Sequence, residues 1–443
     1  MSVARTVCQG FIAVIIIGTF LLMMPISLSE GTWNNPITAL FTATSAVCVT
    51  GLSVVDVGEY YSFLGQIFLL ILVQVGAFGY MTATTLLLLL LGRQFRLKEK
   101  VALQQSLDRE GWAGVVPLLR SILATTVLFE LVGAFFLLFV FVPAHGFFGG
   151  IWYSIFHSIN AFNNAGFSLY SDGLVRYVDS PILTLAMTGL IILGGIGYDV
   201  IMEGYLWFKT RLKKQSKTVV FSLHFKVVTT TTIMLLFLGT LVFFIVEFYN
   251  SNTLGDLDLQ GKLLGAWFQS VTTRTAGFNT IDIGELTGVG FFMTIALMFI
   301  GASPGSTGGG IKTTTLRILL NSTKAALGGK EEVICYQRQI PTAVIIKAVG
   351  MACGSVLVVT VSTILVASSD AQLELLPIFF EVVSAFGTAG LSTGITSSLS
   401  SMGQLILIAT MYVGRVGILL LMGAIFGETK VSVVQYPEEN LLV

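Results

Sequence analysis

The chain has 443 residues and no net formal charge, with 54% of its residues hydrophobic and only 11% charged. Soluble domains carry about 25% charged residues, so this composition excludes a water-soluble fold and predicts a protein whose solvent is largely lipid. The four cysteines have no CxxC spacing and lie in no histidine cluster, which argues against a disulfide framework and a cysteine metal site.

Eight apolar runs occur along the chain, and each can cross a hydrocarbon core of ~30 Å at about 1.5 Å per residue. They cover residues 7–24, 62–91, 118–142, 182–208, 227–248, 287–320 (interrupted), 342–367 and 403–426. The first run is interpreted as a retained span, because no small-residue cleavage site follows it cleanly. The runs predict an all-α integral membrane protein with eight transmembrane helices and both termini on one side.

Basic residues collect in one set of the connections between these runs. That set contains Arg93, Arg96, Lys98, Lys100, Lys209, Arg211, Lys213, Lys214, Lys217, Lys324, Lys330 and Arg338, with Arg5 and Lys430 near the termini. The other set contains only Arg176, Lys262 and Arg274 and is rich in acidic residues. The positive-inside rule therefore places the first set and both termini in the cytoplasm. The acidic outer connections either keep these loops hydrated or concentrate cations at a pore mouth.

Each outer connection holds a second apolar stretch that is too short to span and fits a re-entrant segment. The four stretches lie near residues 34–46, 148–161, 261–272 and 374–386, and they end in TSAVCVTGL, INAFNNAGF, SVTTRTAGF and VSAFGTAGL. Their last glycines are Gly51, Gly166, Gly277 and Gly390, separated by 115, 111 and 113 residues. One such glycine would be explained by close helix packing. Four at a near-constant period favour four tandem helix–pore-loop–helix repeats in a pseudo-fourfold arrangement.

These matches predict the division of the chain. The pore repeats cover residues 1–110, 111–218, 219–338 and 339–427, and the third contains a broken inner helix. A cytoplasmic tail of residues 428–443 follows, and it is too small to hold a regulatory domain.

Four equivalent loops can meet around one axis, where rings of backbone carbonyls replace the water shell of a cation. Glycine suits such a turn because it reaches positive φ without strain and places no side chain in the lumen. The predicted filter therefore binds K⁺ at backbone carbonyls of Cys48, Val49, Thr50, Gly51, Asn163, Asn164, Ala165, Gly166, Arg274, Thr275, Ala276, Gly277, Gly387, Thr388, Ala389 and Gly390. We expect the side chains of Arg274, Asn163 and Asn164 to brace their loops away from the axis. His157 is interpreted as a satisfied pore-helix residue.

The sixth apolar run is interrupted by GASPGSTGGGIKTTT at residues 301–315. Five glycines and Pro304 make a continuous helix costly, so an irregular loop inside the membrane is predicted, below the filter. The string nearly fits a phosphate-binding loop, but Ile311 separates Gly310 from Lys312 and no strand precedes it, so that interpretation is rejected. A simple kink in the helix is the alternative.

These loops, the gapped sixth span and the sequence MYVGRVG at residues 411–417 resemble the Trk/Ktr/HKT superfamily of potassium transporters, most closely the bacterial Ktr membrane subunit. The resemblance implies a bacterial plasma-membrane location, a pseudo-fourfold pore, a homodimer and a cytoplasmic KtrA-like regulatory ring. It implies that nucleotide binds only on that ring, and that this chain has no cofactor besides the transported K⁺. Glycine in all four turns, Gly51 included, marks the potassium-selective members. Several Ktr systems also respond to sodium, which no residue here tests.

The resemblance also implies that the interrupted span acts as an intramembrane gate. The gate residues would be Gly305, Ser306, Thr307, Gly308, Gly309, Gly310, Lys312 and Arg415. Arg415 lies mid-span, where a buried cation needs partners, and either pairs with carbonyls of this loop or ties neighbouring helices together. Lys312 either shares that role or reaches the cytosol by snorkelling. Glu130, Asp199 and Glu203 are expected to pair with one another or with basic residues at the inner edge.

The sequence thus predicts a gated potassium pore that serves an uptake system. A carrier coupling Na⁺ and K⁺ by alternating access would instead show inverted repeats and several discontinuous helices. Here the repeats share one orientation, and only one span is expected to be broken. No HExxH motif, nucleophile elbow or convergent acid–base set occurs, so an enzyme is not expected.

Overall fold

The computed structural model describes residues 3–79, 115–213 and 220–426, and these residues are predominantly helical. The helices are α1 (Val3–Met23), α2 (Pro36–Cys48), α3 (Val57–Tyr60), α4 (Phe63–Phe78), α5 (Val115–Asn163), α6 (Pro181–Ile196), α7 (Tyr198–Leu212), α8 (Leu223–Val246), α9 (Leu259–Thr272), α10 (Gly288–Phe299), α11 (Thr313–Leu327), α12 (Thr342–Ser369), α13 (Leu375–Gly387), α14 (Ser401–Val416) and α15 (Ile418–Phe426). Strands β1 (Ile334–Cys335) and β2 (Arg338–Gln339) form one antiparallel hairpin between α11 and α12.

The four short apolar stretches of the outer connections are all helical. Three of them are the separate helices α2, α9 and α13. The fourth is the end of α5, which reverses at Gly146, where φ is 71° and ψ is 178°. Residues 115–145 and 147–163 of α5 are therefore two helical segments, and the second corresponds to the short helix of the other connections.

The next helix of twelve or more residues after each short helix begins with a hydroxyl side chain. Its oxygen accepts a hydrogen bond from the backbone N–H three residues later, which satisfies one of the free donors of the first turn. These N-caps are Ser62 for α4, Ser180 for α6, Thr287 for α10 and Ser400 for α14.

Two buried carboxylates join the ends of neighbouring helices. Glu247, at the end of α8, accepts from the backbone N–H (3.1 Å) and hydroxyl (2.6 Å) of Thr287. Asp370, at the end of α12, accepts from the backbone N–H (2.6 Å) and hydroxyl (2.9 Å) of Ser400. Asp370 lies in one of the connections rich in acidic residues, but it is fully buried and fixes a helix start.

The expectation that only one span is broken is wrong. The predicted span 182–208 bends by 105° between α6 and α7, and the predicted span 403–426 bends by 98° between α14 and α15. The glycines at the two bends have positive φ, 97° at Gly197 and 85° at Gly417. The sixth run is interrupted as predicted, between Phe299 and Thr313.

By length and composition, four described helices can cross a membrane, or up to six when each bent pair counts as one span. The surface agrees with a lipid environment, since large apolar side chains such as Phe148 (86% exposed) and Phe237 (70% exposed) face outward. Part of the predicted second span, the basic residues at 93–100, 214–217 and 430, and the tail at 428–443 lie outside the described residues.

Candidate functional site

The end of each short helix turns sharply, two residues before the aligned glycine. There a residue other than glycine adopts the left-handed conformation, which side-chain-bearing residues rarely occupy. These residues and their φ values are Val49 (56°), Asn164 (58°), Thr275 (70°) and Thr388 (49°). The aligned glycines follow with φ of 95° at Gly51, 73° at Gly166, 79° at Gly277 and 80° at Gly390. Four segments of different sequence thus share one backbone path.

Three of the turns close with the same helix-terminating hydrogen bond. The N–H groups of Thr50, Ala165 and Ala389 each donate, over 2.8 Å, to the carbonyl five residues earlier. The third turn differs, because Ala276 donates to the carbonyl of Thr272, four residues earlier, over 3.0 Å. The third loop is also the one that carries Arg274.

The four glycines are neighbours in space. A methyl group placed on each one would abut the carbonyl oxygen of the residue that precedes the next glycine along the chain. The contacts are Gly51 to Ala165 (2.6 Å), Gly166 to Ala276 (2.9 Å), Gly277 to Ala389 (2.9 Å) and Gly390 back to Thr50. The contacts therefore close a cycle, and within it no side chain larger than hydrogen fits without displacing backbone.

A cavity of about 360 Å³ adjoins this cycle, and all four glycines line it. The other lining residues come from the segments that follow each turn, including Asp56, Ser168, Asn279 and Ser392. The segments after the turns thus shape a mouth whose floor is the glycine cycle.

The irregular segment 300–312 lies against the other side of the turns. The N–H of Gly309 donates to the hydroxyl of Thr388 over 3.0 Å, and a methyl group on Gly308 would collide with the hydroxyl of Thr275. Both threonines are the left-handed residues of their turns. Segment 300–312 is therefore in direct contact with the third and fourth turns.

The same segment is fastened to the broken end of α6. The N–H groups of Ser303 and Thr307 donate to the carbonyls of Gly195 (3.0 Å) and Gly194 (3.2 Å), and Tyr198 N–H donates to the carbonyl of Gly305 (3.2 Å). The bend at Gly197 makes room for this docking, since a methyl group there would lie 2.6 Å from the carbonyl oxygen of Pro304.

Two half-buried cations bind backbone carbonyls at this segment. The Arg415 guanidinium donates through Nη1 to the carbonyl of Thr307, and through Nη2 to those of Gly76 (2.6 Å) and Ala77 (3.3 Å) at the end of α4. Lys312 Nζ donates to the carbonyl of Gly308 over 2.7 Å. Arg415 thus links α14, α4 and segment 300–312, and Lys312 points back into the segment.

Arg274 lies between α6 and α8, where its side chain lines a small cavity with Ile191, Thr232 and Leu236. Its Nε has no hydrogen-bond partner in the described part of the chain. The guanidinium therefore packs behind the third turn, and the mouth cavity contains none of its atoms.

Asn163 braces the second turn from behind. Its Nδ2 donates to Gln74 Oε1 (2.7 Å) and Glu130 Oε1 (3.0 Å), while Gln74 Nε2 also donates to Glu130 Oε1 (3.0 Å). The prediction that Glu130 and Glu203 pair ionically is wrong within the described residues. Glu130 binds amides, and Glu203 accepts from the N–H and hydroxyl of Ser222.

Glu381 is a second brace that the sequence analysis missed. It is buried in α13, and it accepts from Ser392 Oγ (2.5 Å), Thr393 N (3.0 Å) and Thr396 Oγ1 (3.0 Å) in the segment after the fourth turn. His157 is satisfied by the Tyr153 carbonyl (2.8 Å) and Ser168 Oγ (3.2 Å), as expected. Among the described residues, no group of three His, Cys, Asp or Glu side chains could hold a metal ion.

The fold defines a helical protein with several apolar helices, as in multi-pass membrane proteins. The family model described as TrkH, a cation transport protein, matches residues 4–425, and the chain belongs to this family. The resemblance drawn from the loops is confirmed, as is the prediction that the chain is a transporter component and not an enzyme.

Two curated relatives match along nearly their whole length. The chain is 40% identical to Ktr system potassium uptake protein B of Bacillus subtilis, over 97% of this chain and 94% of that protein. It is 35% identical to the potassium/sodium uptake protein NtpJ of Enterococcus hirae, over 100% of this chain and 97% of that protein. The crystal structure of the potassium transporter TrkH from Vibrio parahaemolyticus has the same fold, with a TM-score of 0.71 at 18% identity over 94% of this chain and 84% of that one.

Proposed function

We propose that this chain is the membrane-embedded, ion-translocating subunit of a potassium uptake system. The observation that carries the proposal is the closed cycle of contacts through Gly51, Gly166, Gly277 and Gly390, which lies at the floor of an open cavity. Four backbone segments that meet this closely leave only peptide groups at the centre. The proposed architecture is four repeats in pseudo-fourfold arrangement around that centre, with K⁺ bound by carbonyls of the turns.

Electrostatics support cation binding at this position. The four short helices end at the turns, so their C-terminal ends bring partial negative charge to the cycle. The nearby carbonyls of Thr50, Ala165, Ala276 and Ala389 add ligand dipoles. Each turn is short and offers few layers of carbonyls, so the K⁺ preference is expected to be looser than that of a dedicated potassium channel.

Segment 300–312 is the proposed gate. It contacts two turns directly, is held by Arg415 and contains Lys312, and these two side chains bring positive charge close to the turns. A cation leaving the filter toward the cytoplasm would meet these charges, so conduction requires the segment and its carbonyl partners to move. The bonds to Gly194 and Gly195 are backbone contacts that can be exchanged for water when it does so.

The subunit composition is proposed from the family resemblance and from the names of the relatives. The name Ktr system describes an assembly with other subunits. From the family resemblance we expect a homodimer of this chain with a cytoplasmic, nucleotide-binding regulatory ring.

A carrier that couples Na⁺ and K⁺ is the competing function, and two observations support it. The printed name of the Enterococcus relative includes sodium, and the bends at Gly197 and Gly417 give this fold more than one discontinuous helix. Against it, the two bends lie at equivalent places, each at the end of the helix that follows a short apolar helix, and the four turns share one backbone conformation.

Two measurements test the proposal. Uptake of K⁺, Rb⁺ and Na⁺ is compared in cells that lack other potassium uptake systems, and we expect K⁺ and Rb⁺ uptake well above that of Na⁺. In proteoliposomes, passive flux of K⁺ or of Na⁺ down its own gradient supports the pore. Saturable K⁺ flux that requires a Na⁺ gradient would establish the carrier instead.

A further inference from the structure

A basic pocket lies between α11 and the hairpin β1–β2. Its volume is about 480 Å³, and its lining includes Arg317, Lys324, Lys330 and one carboxylate, Glu332. It belongs to the connection that the charge distribution predicts to be cytoplasmic. The hairpin is anchored by the buried Val333 and Cys335, which pack in a small core with α8 and α11.

Positive charge exceeds negative charge in this pocket, since three cations line it with one carboxylate. Within the described residues, Arg176–Asp172 is the one ion pair, and Arg317, Lys324 and Lys330 donate no side-chain hydrogen bond. Arg317 Nε is buried without a hydrogen-bond partner, while the guanidinium carbon lies 5.9 Å from the ring centroid of Tyr336. Like charges that face one cavity repel each other, so an anion in the cavity would relieve both the repulsion and the unsatisfied donor.

The chemistry of these groups selects the anion. A guanidinium and two ammonium groups match the several acceptor oxygens of a phosphate, which arginine can bind through two parallel hydrogen bonds. We propose that this pocket binds a phosphate group. The inference rests on the pocket alone and does not depend on the proposed transport function.

The surroundings favour a lipid as the source of the phosphate. Leu327 (86% exposed), Leu320 (45%) and Ile334 (55%) surround the basic residues with apolar surface. Apolar side chains next to lysine and arginine are typical of an element at the membrane interface, where anionic headgroups lie. Free phosphate in the cytosol is the other source.

The test uses the purified full chain in nanodiscs of phosphatidylcholine with increasing phosphatidylglycerol. Native mass spectrometry measures the phosphatidylglycerol that stays bound. For Lys324→Gln we expect about fivefold weaker retention, the factor that corresponds to about 1 kcal/mol for one basic residue at an anionic surface. Lys324→Arg should retain the lipid. Arg338→Gln is the matched control, since Arg338 is exposed on β2 of the same hairpin and does not line the pocket.

A second arm identifies the source. Inorganic phosphate is added to the protein in pure phosphatidylcholine, and thermal unfolding is followed for the wild type and Lys324→Gln. Stabilisation of the wild type alone would support the phosphate site with a free ion as its occupant. Equal lipid retention by the wild type, Lys324→Gln and Arg338→Gln, together with no phosphate-dependent stabilisation, would overturn the proposal. Unfolding in pure phosphatidylcholine shows whether each variant is folded before either comparison.

Discussion

Arg415 and Thr307 lie 108 residues apart in sequence, yet the guanidinium of one donates directly to the backbone carbonyl of the other. The same guanidinium also binds the last turn of α4, at Gly76 and Ala77. One side chain therefore holds the proposed gate segment against two helices at once. Since a hydrogen bond from a charged group contributes about 1.5–3 kcal/mol, this contact can bias the position of the segment by about tenfold or more.

Replacing Arg415 with Ala should raise potassium flux. The substitution removes both the tie to Thr307 and a positive charge below the glycine cycle, so we expect about tenfold faster Rb⁺ uptake into proteoliposomes. Arg415→Lys is the matched control, because it keeps the charge and loses the forked geometry. Its flux should lie between those of the wild type and Arg415→Ala. Unchanged flux in a folded Ala variant would show that Arg415 only ties helices together.

Replacing Gly51 with Ser should weaken the preference for potassium. The added Cβ would lie 2.6 Å from the Ala165 carbonyl oxygen and 2.9 Å from Gly166 Cα, at a φ of 95° that favours glycine. Backbone strain of about 1–3 kcal/mol at this point should reduce the ratio of Rb⁺ to Na⁺ permeability by about fivefold or more. Gly350→Ser serves as the control, because Gly350 is a helical glycine with open space around it. An unaltered ratio for Gly51→Ser would contradict the filter assignment.

Deleting residues 305–310 should also raise flux. The deletion removes the carbonyls that bind Arg415 and Lys312, as well as the Gly309 N–H that binds Thr388. Passive Rb⁺ flux in proteoliposomes is the measurement, with gel filtration and thermal unfolding as the check that the variant folds. A folded deletion variant without flux would mean that the segment builds the pathway rather than closing it.

Replacing Asp370 with Asn should destabilise the junction between α12 and α14. Burial alone would raise the pKa of this carboxyl, but hydrogen bonds from Ser369 and Ser400 outweigh burial and hold it below its usual 3.8. The carboxylate therefore contributes stability that is complete above pH 3.8 and is lost as the pH falls through the lower folded-state pKa. We expect a lower unfolding temperature for Asp370→Asn at pH 7. Asp172→Asn is the matched control, because Asp172 is an exposed acid, and it should have little effect. A difference between the two variants that persists unchanged at pH 3 would argue against this account.

The turns could be predicted because their signal is local and repeated. Four glycines at a near-constant period, each behind a short apolar stretch, needed no knowledge of distant contacts. The left-handed conformations of Val49 and Thr388 could not be predicted, because β-branched residues disfavour them. They arise from the meeting of four segments, which only the folded chain brings together.

The bends at Gly197 and Gly417 were missed for a related reason. One glycine inside an apolar run is compatible with a continuous helix, so the sequence pattern does not distinguish a bend from a span. At Gly197 the bend is set by segment 300–312, whose Pro304 carbonyl approaches the glycine from about a hundred positions away in the chain. The role of Glu130 was hidden in the same way, since its partners Gln74 and Asn163 lie 56 and 33 residues distant.

Glu130 offers the sharpest test of how the filter is held. Its Oε1 accepts from Gln74 and from Asn163, and Asn163 directly precedes the left-handed residue of the second turn. Glu130→Ala leaves Gln74 Nε2 without its acceptor and removes one of the three acceptors of Asn163 Nδ2, at a cost of about 1–3 kcal/mol, and so loosens the brace behind the second turn. We expect a lower Rb⁺ to Na⁺ permeability ratio with the total flux preserved.

Two companion variants separate this effect from general destabilisation. Glu130→Gln keeps an acceptor oxygen at the same position, so its permeability ratio should return toward that of the wild type. Glu203→Ala removes a carboxylate whose partner among the described residues is Ser222, which belongs to none of the turns, and should lower the unfolding temperature without altering the ratio. If Glu203→Ala and Glu130→Ala reduce the ratio equally, the loss reflects overall stability, and the brace behind the second turn has no specific role in selectivity.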